Sequence, residues 1–456
     1  MRPLRLALLF GVLLAVAQQQ VLLRRPPRLL TLEQAAASSG PAALNLRFSR
    51  PMDPASVAAG TRLEPRLRFD LQGGGNPLLL LPGQGQRLVT PLRLQLEGDD
   101  RRGLPMEPAL WQWDPRAHLL AVVPVGSGEQ VQVQQGNGAW TALSPVWSSI
   151  SEIEPLGDGS GVGVVSRDDQ GRHQVWRLNL QERNLERVAA INTPLRPDLG
   201  RVQQKGIDRF VSEPLQYAQL STNRQGDLLV QSTPLTQGPE RLVQWFRSGG
   251  RRRHDIEASG PVAMLPGGGE LIVPEREGLS LRTLPPREPR RQVLPGSRDL
   301  SSFCPVAGRA LLVRHWPDFR RSLELVEPGQ APRPLWIGTA GLVASACSRG
   351  GERVWALLIE GIAEPRLILL ALDRNGAVLQ RRELTGWELE PGTGLHYDPT
   401  GERLLLTLRR QELDNTRIGG GPPRRREAQP ALIDPFTLEL TLIDKPVRQA
   451  QWLPAG

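Results

Sequence analysis

The feature that most constrains this chain is a phrase that returns seven times from Trp113 onward. Each copy leads a short strand-like stretch into a turn built on Pro, Gly or Asp, and an apolar β-rich run follows. Trp113-Asp114-Pro115 stands before Leu119–Val123, and Glu154-Pro155 stands before Val162–Val165. Further copies are centred on Asn223, Pro266, Pro305, Ser348 and Pro399. Measured at the Pro115 position, the steps are 40, 68, 43, 39, 43 and 51 residues. A period of about 40–45 residues with several strands per unit suits a propeller blade, a sheet too small to bury its faces except against its neighbours. The spacing predicts an all-β chain with a β-propeller over residues 108–456. Seven blades are favoured, with six or eight left open, and the long step marks an insertion at about 190–216.

Within a unit the remaining strands show as hairpin patterns. Gln130–Gln135 turns at Gly136-Asn137-Gly138 into Ala139–Leu143, and Leu367–Leu372 turns at Asp373-Arg374-Asn375-Gly376 into Ala377–Leu384. The final stretch Gln449–Pro454 echoes Leu110–Pro115 and is expected to close the ring beside the first blade, removing open sheet edges. The turns Trp113-Asp114-Pro115 and Tyr397-Asp398-Pro399-Thr400-Gly401 resemble the inner-strand turn of TolB-like and WD40-like propellers. The resemblance implies an architecture shared by scaffolds, ligand binders and enzyme lids. The repeated histidine and Trp-Asp pair of strict WD40 blades is missing.

Ahead of the repeat, residues 42–107 read as a small β-sandwich. Leu44, Leu46 and Phe48 alternate with Asn45 and Arg47, and further strand patterns run Arg66–Leu71, Leu78–Leu81 and Leu92–Leu96. The segment Phe48-Ser49-Arg50-Pro51-Met52-Asp53-Pro54-Ala55-Ser56-Val57 resembles the opening strand and turn of bacterial Ig-like domains of surface-layer type. That resemblance implies an envelope spacer or adhesion module without catalysis. The composition shift at Asp99–Pro108 places the boundary with the propeller there.

Residues 1–30 form a signal peptide or membrane anchor with a basic linker. Arg2 and Arg5 precede the apolar stretch Leu6–Ala17, and Ala15-Val16-Ala17 has the small-x-small form of a cleavage site. The uncharged run continues through three glutamines to Leu23, so an uncleaved anchor in the inner membrane is the alternative. No cysteine follows the stretch, which excludes a lipoprotein anchor. Either reading predicts a periplasmic or otherwise extracytoplasmic protein.

Charge and chemistry narrow the function. The formal net charge is +9, from 56 basic and 47 acidic residues, and only Lys205 and Lys445 are lysines. Most of that arginine can pair with carboxylates, so no nucleic-acid partner is expected, and weak contact with an anionic membrane surface fits better. Two arginine clusters form a candidate docking patch: Arg251, Arg252 and Arg253 at one hairpin, and Arg424, Arg425 and Arg426 in a Gly/Pro-rich loop. His118, His173, His254, His315 and His396 are scattered without metal spacing. Asp158-Gly159 and Asp168-Asp169 with Gly171 read as turns before they read as calcium ligands. There is no G-x-S-x-G elbow, P-loop or dinucleotide fingerprint, so neither catalytic residues nor a cofactor is expected. Cys304 and Cys347 occupy the same position of consecutive phrases, 43 residues apart, and are a candidate disulfide between adjacent blades. The expected function is non-enzymatic, a propeller face that binds a protein or cell-envelope polymer. The alternative is a periplasmic propeller hydrolase acting on glycan or peptide, which would place several carboxylates in the axial funnel.

Overall fold

The computed structural model describes residues 10–455 apart from 12, 17, 21–23, 38, 39, 84, 137, 237, 305–307 and 412–426. Strands make up nearly all of the regular structure, in antiparallel sheets. Of the N-terminal apolar stretch, Phe10, Gly11 and residues 13–16 are helical, while the rest lies outside the described residues. Among the described residues no helix is long and apolar enough to cross a membrane.

Two four-stranded sheets form the N-terminal region. In the first, the order is Leu29–Ala37, Gly40–Phe48, Leu78–Pro82, Phe69–Gln72; in the second it is Arg62–Glu64, Leu92–Leu96, Ala109–Trp113, Leu185–Val188. Their facing sides share one core that includes Leu44, Leu46, Phe48, Leu78, Leu80, Leu92, Leu94, Leu96 and Trp113. Leu92–Leu96 shows why: its leucines are buried while Arg93 and Gln95 between them are half-buried, the period of two that turns alternate residues to one face. Each fully buried leucine stabilises the fold by about 1.5–3 kcal/mol. The Met52-Asp53-Pro54 phrase closes this core at one end. Met52 and Val57 are fully buried, and Asp53 caps the helix Pro54–Gly60 by accepting from the Ser56 N–H at 3.0 Å.

The core of the N-terminal sheets takes in residues on both sides of position 108. Ala109–Trp113, expected to open the repeat, pairs with Leu92–Leu96 and completes the N-terminal core. The polar stretch between them is a tied turn, not a linker. The Asp100 carboxylate accepts from the N–H groups of Arg102 and Leu104 at 2.8 and 3.0 Å and pairs with Arg50, so the chain doubles back in register. Leu185–Val188, just ahead of the expected insertion, then adds to the far edge of Ala109–Trp113. The N-terminal sheets and the repeat region are thus joined by strand pairing.

The repeat region is a succession of four-stranded antiparallel sheets, most with their strands in sequence order. Three are Ala263–Met264 to Arg291–Pro295, Arg298–Phe303 to Arg333–Gly338, and Gly341–Cys347 to Val378–Glu383. Ser149–Pro155 to Val202–Arg209 and Leu215–Thr222 to Arg251–His254 are two more such units, linked in strand register by the single pair His173 and Leu215. The next begins with Trp387–Leu389 and His396–Asp398, both paired to Arg403–Arg410. The C-terminal strand Gln449–Leu453 pairs with His118–Val125, so the last residues supply the first strand of the first repeat sheet. This order is consistent with a β-propeller.

The stretch 185–209 is divided between the two regions. Its start feeds the N-terminal sheets, and its end, Val202–Arg209, is an outer strand paired with His173–Glu182. Tryptophans mostly pack: Trp113 and Trp355 are fully buried, and Trp147 stacks on Trp176 with ring centres 5.6 Å apart.

Candidate functional site

The first strand of each unit lines the axis, and most of these strands bend at the same place. Register shifts fall between Ile150 and Glu152, Leu215 and Tyr217, Leu300 and Ser302, and Leu342 and Ala344. A bulge of this kind re-aims the residues after it. In Ser149–Pro155 it sets Ile150 and Ile153 into the core between sheets and leaves Glu152 and Glu154, two residues apart, on the opposite, axial side. Neighbouring axial strands are fastened by side chains. Gln449 and Gln451 donate from Nε2 to the carbonyls of Ser151 and Ile153, each at 2.8 Å, and the Ser345 hydroxyl lies 2.7 and 3.1 Å from those of Ser301 and Ser302.

Two cavities meet along this axis. One, of about 460 Å3, is lined by Glu152, Arg167, His173, Tyr217, Gln219 and His396. The other, of about 300 Å3, is lined by Glu154, Phe303, His396, Tyr397, Gln451 and Trp452, so the His396 ring borders both.

The carboxyls are unusual in what surrounds them. Glu152 accepts from the Leu220 N–H, 3.2 Å from both oxygens, and Glu154 accepts from the Thr222 hydroxyl at 3.2 Å. Among the described residues neither has a basic partner within ion-pair distance. Burial in the channel wall pushes Glu152 up to about 8, with the charge of Glu154 adding to the effect and the Leu220 N–H opposing it. Burial also pushes Glu154 up to about 7 against the Thr222 hydroxyl. The rings nearby are held neutral: burial takes His396 down to about 4, and burial together with the Arg167 charge lowers His173. Nδ1 of His173 accepts from the Ala218 N–H at 3.0 Å, and Arg167 Nε lies 2.8 Å from Nε2.

In a ring of antiparallel units, turns after the first and third strands lie on one side and turns after the second on the other. The N-terminal sheets dock on the former. Leu88 N–H donates to the Thr400 carbonyl at 3.0 Å, Arg87 pairs with Asp434 at 2.9 Å, and Gln34 Nε2 donates to the Ala455 carbonyl at 2.7 Å. On the latter side the turns carry Leu235, Phe319 and Ile362, which are 52%, 91% and 102% exposed and so available to a partner. Arg167 and His173 flank the turn 168–172, so the larger cavity opens on this second side.

The sequence-derived candidates fall elsewhere. Arg251, Arg252 and Arg253 lie on the edge strand Arg251–His254, with Arg251 over the Trp245 ring, Arg252 over Phe246 and donating to the Pro285 carbonyl at 2.7 Å, and Arg253 beside Asp255 at 3.4 Å. Arg424, Arg425 and Arg426 lie outside the described residues. Cys304 and Cys347 are disulfide-bonded with Cα atoms 5.3 Å apart, tying neighbouring sheets where their axial strands end. Asp168 and Asp158 spend their oxygens on turn N–H groups and on Arg172 and Arg247, and among the described residues no group of three or more His, Cys, Asp or Glu is placed to hold a metal ion. Glu152 and Glu154 escaped the sequence reading. Their signal was Ser-Glu-Ile-Glu-Pro, two carboxyls on one side of a strand directly ahead of a repeat turn.

No protein-family model and no curated protein matches this chain. Among solved structures it is similar to TolB from Acinetobacter baumannii, at 10% identity over 87% of this chain and 83% of that one, with a TM-score of 0.39. AztD from Citrobacter koseri is 12% identical over 75% and 98%, with a TM-score of 0.42. A prolyl endopeptidase is 8% identical over 86% of this chain and 51% of that one, with a TM-score of 0.48. Structures of TolB-like propellers are thus among those this all-β chain resembles, and at such identities the likeness fixes no residue role.

Proposed function

We propose that this protein is a non-enzymatic, envelope-associated binding protein. In this reading the N-terminal segment delivers or tethers it outside the cytoplasm, an Ig-like sandwich acts as spacer, and a seven-bladed propeller binds a protein or cell-envelope polymer. One observation carries the proposal: the N-terminal sheets occupy one side of the ring, while the larger axial cavity opens on the other among exposed apolar turn residues. The Cys304–Cys347 bond supports an oxidising compartment.

The hydrolase alternative draws on the Glu152 and Glu154 carboxyls. A glycosidase needs its two carboxyls on either side of the scissile bond. These two rise from one strand on one wall of the channel, so they crowd a ligand from a single direction. That arrangement suits binding better than hydrolysis.

The test is photo-crosslinking in the native host with a reactive residue placed at Phe319, Ile362 or, on the N-terminal sheets, Leu30. Adducts of one defined envelope component from the Phe319 and Ile362 positions, and none from Leu30, are expected. Adducts confined to the Leu30 position would sink the reading.

A further inference from the structure

The half-buried channel carboxyls contrast with the carboxyls that the fold buries outright. Among the described residues, every acidic residue that the fold buries outright meets an arginine: Asp100, Asp114, Glu129, Glu324, Glu327, Glu390 and Asp398. The covered Glu182 carboxylate meets the His118 ring at 2.7 Å instead. A chain this rich in arginine had partners to spare for Glu152 and Glu154, yet it surrounds them with neutral groups. On their own strand the neighbours are Ser151 and Ile153. From neighbouring strands come the His173 ring, the Tyr217 ring and the Gln219, Gln449 and Gln451 amides, and from farther round the axis come His396 and Tyr397. The Gln449 and Gln451 amides each donate to a backbone carbonyl of the Ser149–Pro155 strand. Among the described residues Arg167 is the one cation lining the cavity, and its side chain lies at the exposed rim beside His173.

We propose that the axial cavity is a binding site for an organic cation, an alkyl-ammonium or alkyl-guanidinium group, held by Glu152 and Glu154. Three features beyond the carboxyls fit that class. The two cavities adjoin at His396 and Gln451, which line both, so a charged head in one lies next to space for an aliphatic chain in the other. Tyr217 and Tyr397 border these cavities, and aromatic faces attract ammonium and guanidinium groups but do little for a hydrated inorganic ion. The Gln219 side chain accepts from the Tyr217 hydroxyl at 2.6 Å, a hydrogen bond that holds the phenol at the mouth. A planar guanidinium would pair with the two carboxylates in turn, and an ammonium would sit between them. The cation can be the side chain of a bound protein or a free polyamine.

The proposal deepens the binding reading above, and it is tested separately. Arginine amide and spermidine are titrated calorimetrically into the full chain at about pH 8.5, where both carboxyls are largely ionised, with calcium chloride as a third titrant. The protein is expected to bind arginine amide or spermidine at one site per chain. E152Q/E154Q should weaken that binding by at least about tenfold, whereas E277Q, at an exposed turn on the same side, should leave it unchanged. Preference for arginine amide points to a partner's side chain, and preference for spermidine to a free polyamine. The proposal is overturned if neither organic cation binds, if E277Q weakens binding as much as the double variant, or if calcium binds as tightly and displaces both. Thermal melts of E152Q/E154Q confirm that any loss is not unfolding. If cation binding fails while the Phe319 and Ile362 crosslinks persist, only this inference falls; if the crosslinks fail and cation binding holds, only the partner-binding reading does.

Discussion

Two sets of carboxylates divide this molecule. Those buried in and between the sheets are tied to arginines: Glu324 to Arg298 at 2.9 Å, Asp114 to Arg116 at 2.6 Å, Asp398 to Arg403 at 2.9 Å. Those facing the axis have a backbone N–H and a hydroxyl between them and no counter-charge among the described residues. The first set repays its desolvation locally, with a fixed partner and extra hydrogen bonds. The second set leaves part of that cost standing, to be met by water or by a ligand. Carboxyls that line a cavity with raised pKa values and no fixed counter-charge mark a place where a ligand can bind.

The largest effect should come from breaking a pair in the first set. Arg298 and Glu324 are 6% and 3% exposed, so removing the guanidinium strands a carboxylate that water cannot reach. Arg298→Met is expected to cost about 3–5 kcal/mol in urea unfolding. The Arg314 guanidinium, 3.8 Å from the other Glu324 oxygen, is the group that can move in and lower that figure. A loss below about 1 kcal/mol would mean that the arginines are ornamental and the contrast with the channel says nothing.

A smaller loss tests the same set at a turn. Asp398 is fully buried and accepts from the Thr400 N–H at 2.9 Å as well as from Arg403. Asp398→Asn keeps the shape and removes the charge, and about 1–3 kcal/mol should go with it. If the Asp398→Asn variant proves as stable as the wild type at pH 7 in the same unfolding assay, the turn is held by shape and its ion pair carries no stability.

How much of this was legible in the sequence follows from which relations are local. The repeat phrases gave the strand starts correctly because a Pro or Gly turn ahead of an apolar run is written in consecutive residues, as at Pro266 before Leu271–Val273. The partnership of Gln449–Leu453 with the first repeat sheet was readable from similarity to an earlier stretch. Pairings that cross regions left no such mark. Ala109–Trp113 reads as well for a propeller strand as for a sandwich strand, and what decides between them is the turn fastened by Asp100, which in the sequence is only another polar stretch. Leu185–Val188 is four residues, none of them buried, whose role depends entirely on the edge they meet. At the candidate site, alternation shows that Glu152 and Glu154 share a side. It cannot show which side, because the bulge at Ser151 resets the phase.

The last prediction concerns the second set and has the opposite sign. An unfolded glutamate ionises near 4.5, whereas burial in the folded channel raises Glu152 to about 8 and Glu154 to about 7. Below the unfolded value both states are protonated, and the pair contributes nothing to the pH dependence. As pH rises from there, the unfolded chain releases its protons while the folded chain still holds them. The folded state then binds more protons than the unfolded one, and stability falls with pH until the folded carboxyls have also ionised, beyond about 8. Replacing both by glutamine removes that fall. E152Q/E154Q should therefore melt with the wild type at pH 4.5 and above it at pH 9, by an amount on the order of 2 kcal/mol once water in the channel has screened part of the cost. Differential scanning calorimetry across that range reads the difference directly. A variant less stable than wild type at pH 9 would show that the Leu220 and Thr222 hydrogen bonds outweigh the desolvation, making these glutamates part of the scaffold. Spermidine adds a second reading: if it occupies the channel, it should raise the wild-type midpoint at pH 9 and leave the double variant where it was.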